Sequence, residues 1–164
     1  MDLSSYSLED IMLSAMKSEI DSRATYQQIA GKIKNAFLKD KINFIADEEE
    51  KHREFVETIF KNRFPDKPIE IPDKTPVPLP ELKLDDENIS PVEVFEKVME
   101  AEKAANEFYL AFANRIEDDE EIRRTLQYFA SMELGHYRLF ELEKENMETY
   151  ETFDADWPMM HVGP

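Results

Sequence analysis

The hydrophobic pattern of this chain is written twice. Four segments carry apolar residues at alternating steps of four and three, the period of a helix face packed in a bundle. The first, about 8–33, repeats Leu8, Met12, Ala15, Glu19, Ser22, Tyr26, Ile29 and Ile33; the second, about 36–63, repeats Leu38, Ile42, Ile45, Glu49, His52, Val56 and Ile59. The third, about 91–116, carries Phe95, Val98, Glu102, Ala105, Tyr109, Phe112 and Ile116. The fourth, about 119–147, carries Ile122, Leu126, Phe129, Glu133, His136 and Phe140. Moving 83 places along from Glu19, Tyr26 and Ile33 reaches Glu102, Tyr109 and Ile116. Moving 84 places from Ile45, Glu49, His52 and Val56 reaches Phe129, Glu133, His136 and Phe140. A helical period kept through a duplication predicts one all-α domain over residues 1–164, a bundle of four helices in two pairs.

Local signals mark the ends of these segments. Ser7, Asn35 and either Asp118 or Asp119 stand where N-caps are needed, and Ser90-Pro91 followed by Glu93 reads as a capping box with proline at the first helical position. Between the pairs lies a connector, 64–90, whose stretch from 62 onward holds six prolines and so excludes helix. A helix of about 26 residues is about 39 Å long. At about 3.1 Å per residue the connector spans more than that. It can therefore run the length of the bundle and set helices two and three parallel, while the short links make one and two, and three and four, antiparallel. One long crossover between helices two and three is the result. The same slack permits exchange of helix pairs between protomers of a homodimer or small homo-oligomer. The tail, 148–164, is interrupted by Pro158 and Gly163-Pro164 and is expected to be non-helical, packing on the body or on a partner.

The apolar stripes are broken at matching heights by residues that do not belong in a core. Glu19 and Glu102 stand alone on helices one and three, and Glu49-x-x-His52 and Glu133-x-x-His136 occupy helices two and four. Residues three apart share a helix face, so each Glu-His pair can reach one site. Four buried carboxylates repel, and each charge costs several kcal/mol to desolvate. Protons relieve this, and so do two divalent cations, whose four charges match. Oxygen and imidazole donors suit iron or manganese, and the lack of thiolates disfavours structural zinc. Chance is a poor rival: with 24 glutamates in 164 residues, a histidine has one three places earlier about 15% of the time, and two histidines both do so about 2% of the time.

Tyr26 and Tyr109 follow the lone glutamates by two turns on the same face, where a hydroxyl can bond a carboxylate of the other helix pair. Ser22 and Ala105 leave small side chains one turn after Glu19 and Glu102, which either makes room for a ligand such as dioxygen or peroxide or simply lets the helices pack closely. Glu48 and Glu50 lie off the stripe and read as solvated charges, His161 as a tail histidine without a metal role, and Met12, Met99 and Met132 as core filler.

Composition narrows the function. A net charge of -17 argues against nucleic acid and anionic membranes as partners. No apolar run reaches the ~20 residues of a membrane span. The start, MDLSSYSLED, is unlike a signal peptide, and cysteine is absent, which together fit a cytoplasmic protein.

The pattern Glu19…Tyr26, Glu49-x-x-His52, Glu102…Tyr109, Glu133-x-x-His136 resembles the ferritin-like di-iron carboxylate superfamily, and its rubrerythrin branch most closely, over roughly residues 8 to 147. The resemblance implies a ferritin-like four-helix bundle holding two irons. Glu49 and Glu133 would bridge them, Glu19 and Glu102 would be terminal ligands, and His52 and His136 would bind one iron each. Two departures stand out. Typical rubrerythrins carry a rubredoxin-like four-cysteine iron domain, and with no cysteine here electrons would come from an external donor protein. They also carry a further glutamate one turn after the third-helix ligand, where this chain has Ala105; Glu107 could substitute only through a helix bulge. The expected function is a di-iron oxidoreductase acting on peroxide or dioxygen in oxidative stress, as a peroxidase or ferroxidase, with iron storage as the alternative.

Overall fold

The computed structural model of the chain describes residues 1–80 and 90–156. These form four helices: α1 (Leu8–Lys32), α2 (Ala36–Arg63), α3 (Pro91–Arg115) and α4 (Glu120–Asp156). The helices begin where short polar side chains satisfy otherwise orphaned backbone amides. Ser7 accepts from the Asp10 amide, Asn35 from the Leu38 amide, and Asp119 from the amides of Glu121 and Ile122. Ser90 and Glu93 form the reciprocal capping box, with Pro91 following the cap. At its far end α2 stops at Phe64, whose amide still bonds Phe60, because Pro65 has no amide to continue the ladder.

Cross-helix pairs set the directions. Arg63, ending α2, pairs with Asp118 just before α4, while Lys41, near the start of α2, pairs with Glu143 late in α4. These two helices are antiparallel. Glu96 of α3 meets Lys144 of α4, and Tyr26 and Tyr109 cross to Glu102 and Glu19, so α3 is antiparallel to both α4 and α1. With α1 and α2 joined by only three residues, α2 and α3 run parallel. That is the all-α, ferritin-like bundle with its long crossover.

The described part of the connector is tied down rather than looped into solvent. Val77 is buried and donates its amide to Ser14 Oγ of α1 at 3.0 Å, and Ile69 and Leu79 pack on the same core. The N-terminal arm is pinned too, with Leu3 buried and the Leu3 and Tyr6 carbonyls accepting from Arg115.

Two apolar clusters fill the bundle, one at each end. Ile11, Met12, Val56, Phe60, Phe112 and Leu126 belong to the first; Ile29, Ile42, Ile45, Phe95, Val98 and Phe140 belong to the second. Met99 and Met132 pad these clusters at their edges. The fourth helix departs from expectation by continuing through Asp156, past the end of its apolar stripe. Between Gly135 and Pro158 no glycine or proline interrupts the backbone ladder. Residues 81–89 and the last of the tail, His161 included, lie outside the described residues. Among the described residues no helix is long and apolar enough to cross a membrane.

Candidate metal centre

The gap between the two apolar clusters is filled with charge. Glu19, Glu49, His52, Glu102, Glu133 and His136 are all buried, Glu49 and Glu133 to 1% exposure and His52 to 0%. One chain supplies all six. They sort into two overlapping groups, Glu19, Glu49, His52, Glu133 and Glu49, Glu102, Glu133, His136, in each of which one donor atom per residue lies within 4.8 Å of the others. Glu49 and Glu133 belong to both.

Their oxygens divide the work. Glu49 turns Oε2 toward His52 Nδ1 at 3.3 Å and Oε1 toward His136 Nδ1 at 3.4 Å. Glu133 turns Oε1 toward His52 Nδ1 at 2.9 Å and Oε2 toward His136 Nδ1 at 3.4 Å. The third carboxylate near His136 Nδ1 is Glu102 Oε2, at 3.6 Å. Most of these approaches lack hydrogen-bond angles. Both Glu49 oxygens, Glu133 Oε1, both His52 nitrogens and His136 Nδ1 are buried with no hydrogen-bond partner. Six unpartnered polar atoms are costly in a folded core, and all of them except the outward His52 Nε2 lie among the facing carboxylates and imidazoles. Lone pairs converging from oxygen and imidazole nitrogen are what a pair of divalent cations needs, so the residues fit a dinuclear site.

Electrostatics points the same way. Burial, with the charges of Glu49 and Glu133, pushes the Glu19 carboxyl well above the ordinary range. Burial raises Glu102 as well, against the pull of His136. Burial disfavours charged imidazoles, yet the Glu133 and Glu49 carboxylates beside it outweigh this and lift His52 to about 9. Glu102, Glu133 and Glu49 likewise outweigh burial at His136 and raise it further. Glu133 moves down, its burial overcome by the two histidines. Without metal, then, the cluster depends on protons on Glu19, Glu102, His52 and His136. Two divalent ions supply the same four positive charges directly.

Tyr26 of α1 donates its hydroxyl to Glu102 Oε1 of α3, and Tyr109 of α3 donates to Glu19 Oε1 of α1. Burial and the neighbouring carboxylates push both phenols well above their usual range, so they remain donors. Each fixes one oxygen of a lone glutamate and leaves the other for the centre.

On the α1/α3 side a cavity of about 300 Å³ reaches the cluster, lined by Glu19, Ser22, Glu102, Ala105 and Glu133. Connector residues Asp73–Thr75 and Leu79–Pro80 form its outer wall. Ala105 keeps this space open. Glu107 is exposed on an unbroken α-helix and takes no part.

Two readings of the flanking charges need correction. Glu48, expected to be solvated, is half-buried and bonds His136 Nε2 through Oε2 at 3.0 Å. It sits on the flank of α2 that meets α4, which a search for a single apolar stripe passes over. Its mismatch in the repeat was the available signal, since the residue 84 places on is Met132. Glu50 is likewise half-buried, paired with Arg53 and with Arg23 of α1.

Among curated proteins none matches the chain. A solved structure, a hypothetical protein of Pyrococcus furiosus, superposes with a TM-score of 0.79 at 34% sequence identity, covering 90% of this chain and 94% of that one. The sequence pattern of the Rubrerythrin family matches residues 10–144, which contain all six converging residues and both tyrosines. The chain belongs to the rubrerythrin family.

Proposed function

We propose that the chain binds two iron ions between Glu49 and Glu133 and acts as a non-haem di-iron oxidoreductase on peroxide or dioxygen. The observation that carries this reading is the division of oxygens: each of these two carboxylates presents one oxygen to each histidine, as a bridging ligand must. Iron is favoured over manganese because the rubrerythrin family binds a di-iron centre. Glu19 and Glu102 then serve as outer ligands on either side, and His52 and His136 each hold one ion.

Bound iron supplies reversible one-electron redox chemistry and Lewis acidity. The residues of the chain determine what reaches it. Both histidines enter from α2 and α4, while the cavity opens from α1 and α3, so a small oxidant meets the carboxylate side of the centre. Ser22 and Ala105 leave space there for a molecule of a few atoms, and the connector wall excludes bulky ones. Tyr26 and Tyr109 hold the outer carboxylates as the charge of the centre changes. In this reading turnover draws electrons from an external donor protein. An acidic chain working with a reduced carrier fits the cytoplasm.

The test is peroxide turnover by anaerobically iron-loaded protein with an artificial one-electron donor. We expect catalytic peroxide loss that requires both iron and donor, and that falls at least 100-fold in Glu49→Ala. Loss of peroxide at the rate of free iron, unchanged in that variant, would contradict an enzymatic role. Slow uptake of many irons per chain would favour storage instead.

A further inference from the structure

The two histidines face the carboxylates with the same nitrogen, Nδ1, but their outer nitrogens differ. His136 Nε2 lies 3.0 Å from Glu48 Oε2, and Glu48 is itself only 17% exposed. Where Glu48 accepts in this bond, Nε2 is the donor and Nδ1 is the nitrogen left to ligate an ion. Nδ1 thereby faces Glu49, Glu102 and Glu133, where the dinuclear reading puts an ion, and the ring cannot turn without breaking the bond. His52 has no such support. Its Nε2 is buried and unpartnered, and its ring packs on Phe129 with centroids 4.1 Å apart. The repeat counterpart of Glu48 is Met132, which is half-buried against the core and cannot accept in Glu48's manner. The duplication thus preserves the inner residues and breaks symmetry in the layer behind them.

We propose that Glu48 is a positioning residue that makes the two metal positions unequal, so that the one at His136 fills first and holds its ion more tightly. This rests on the dinuclear reading of the centre. A carboxylate behind a ligating imidazole fixes its tautomer and orientation and raises its basicity, and losing such a partner costs 10–100-fold in metal affinity. The outer side of His52 has no such partner, and its ring is packed against Phe129 and Tyr109. The imbalance gives the chain an order of loading. The first ion enters the rigid half and draws Glu49 and Glu133 into place for the second.

The experiment is anaerobic titration with Co(II), read by calorimetry and by the visible absorbance of the ion. The native chain should bind two ions in steps separated ~10-fold or more. Crystals grown with one equivalent should show anomalous scattering beside His136. Glu48→Gln should weaken the tighter step and Glu48→Ala should weaken it further, with the other step nearly unchanged. Met132→Glu should strengthen the weaker step. A residue that only stabilised the fold would lower the melting temperature of the metal-free variants without favouring one step. Two equal steps in the native chain, or equal loss from both in the Glu48 variants, would overturn the proposal and leave the dinuclear reading intact. Binding of fewer than two ions would overturn both.

Discussion

The Tyr26 hydroxyl of α1 is hydrogen-bonded to the Glu102 carboxylate of α3, 76 residues away in sequence and across the centre of the bundle. Tyr109 and Glu19 repeat this contact in the opposite direction. Each helix pair therefore orients a carboxylate belonging to the other, and the two halves of the duplication are joined at the place where their charges converge. Tyr26→Phe and Tyr109→Phe should keep the fold but lower metal affinity or oxidation rate by ~10-fold. Metal titration and stopped-flow oxidation would check this, and unchanged values in both variants would reduce the tyrosines to core packing.

The Glu49 carboxylate should act against stability when metal is withheld. Glu49 has two buried oxygens without hydrogen-bond partners, and its charge raises the carboxyl of Glu19. Glu49→Gln removes that charge while preserving shape. The metal-free variant should melt at a higher temperature than the metal-free native chain, by roughly 1–3 kcal/mol of stability. Added metal should reverse the order, since ions stabilise only a fold that binds them. Calorimetry with and without metal measures both halves of this expectation.

Acidity should separate the metal-free and metal-loaded proteins. His52 is lifted to about 9 by Glu133 and Glu49 working against its burial. A raised imidazole stabilises the fold fully below its unfolded value of about 6.5 and loses that contribution as pH climbs through 9. The raised carboxyls of Glu19 and Glu102 also lose stabilisation as pH rises. Metal binding must displace these protons. The metal-free melting temperature should therefore fall between pH 6.5 and 9, while metal affinity climbs. Proton release on metal addition, measured in buffers of differing ionisation enthalpy, checks the same linkage.

Ala105 is the position at which the cavity can be closed. It lies one turn from Glu102 and lines the space beside the outer carboxylates. Ala105→Glu should place a further anionic ligand there and change ligation on oxidation, visible in the charge-transfer spectrum. Ala105→Leu should leave metal binding intact and slow peroxide consumption ~10-fold or more by occupying the approach. Native rates in the leucine variant would show that the oxidant enters elsewhere.

The convergence of six buried residues was legible in the sequence because a buried charge breaks a strong pattern. Glu19, Glu49, His52, Glu102, Glu133 and His136 each interrupt an apolar stripe, and the duplication repeats the interruption at the same height. The capping residues Ser7, Asn35, Ser90 and Asp119 were legible because their chemistry is local. Glu48 was not, because its partner His136 is on another helix, 88 residues away. The extension of α4 was obscured for a different reason: apolar periodicity reports packing, and a backbone free of glycine and proline can stay helical beyond the last residue of the stripe. The connector's prolines predicted an extended path, but its place beside the cavity and its Val77–Ser14 bond to α1 are announced by no spacing.

The most direct test of the account is anomalous diffraction from crystals loaded anaerobically with iron(II). Two iron peaks per chain should appear about 3.5–4 Å apart, the usual separation in two-metal sites, with Glu49 and Glu133 each contacting both. A single peak, or iron bound only at surface carboxylates while this cluster stays metal-free, would contradict it.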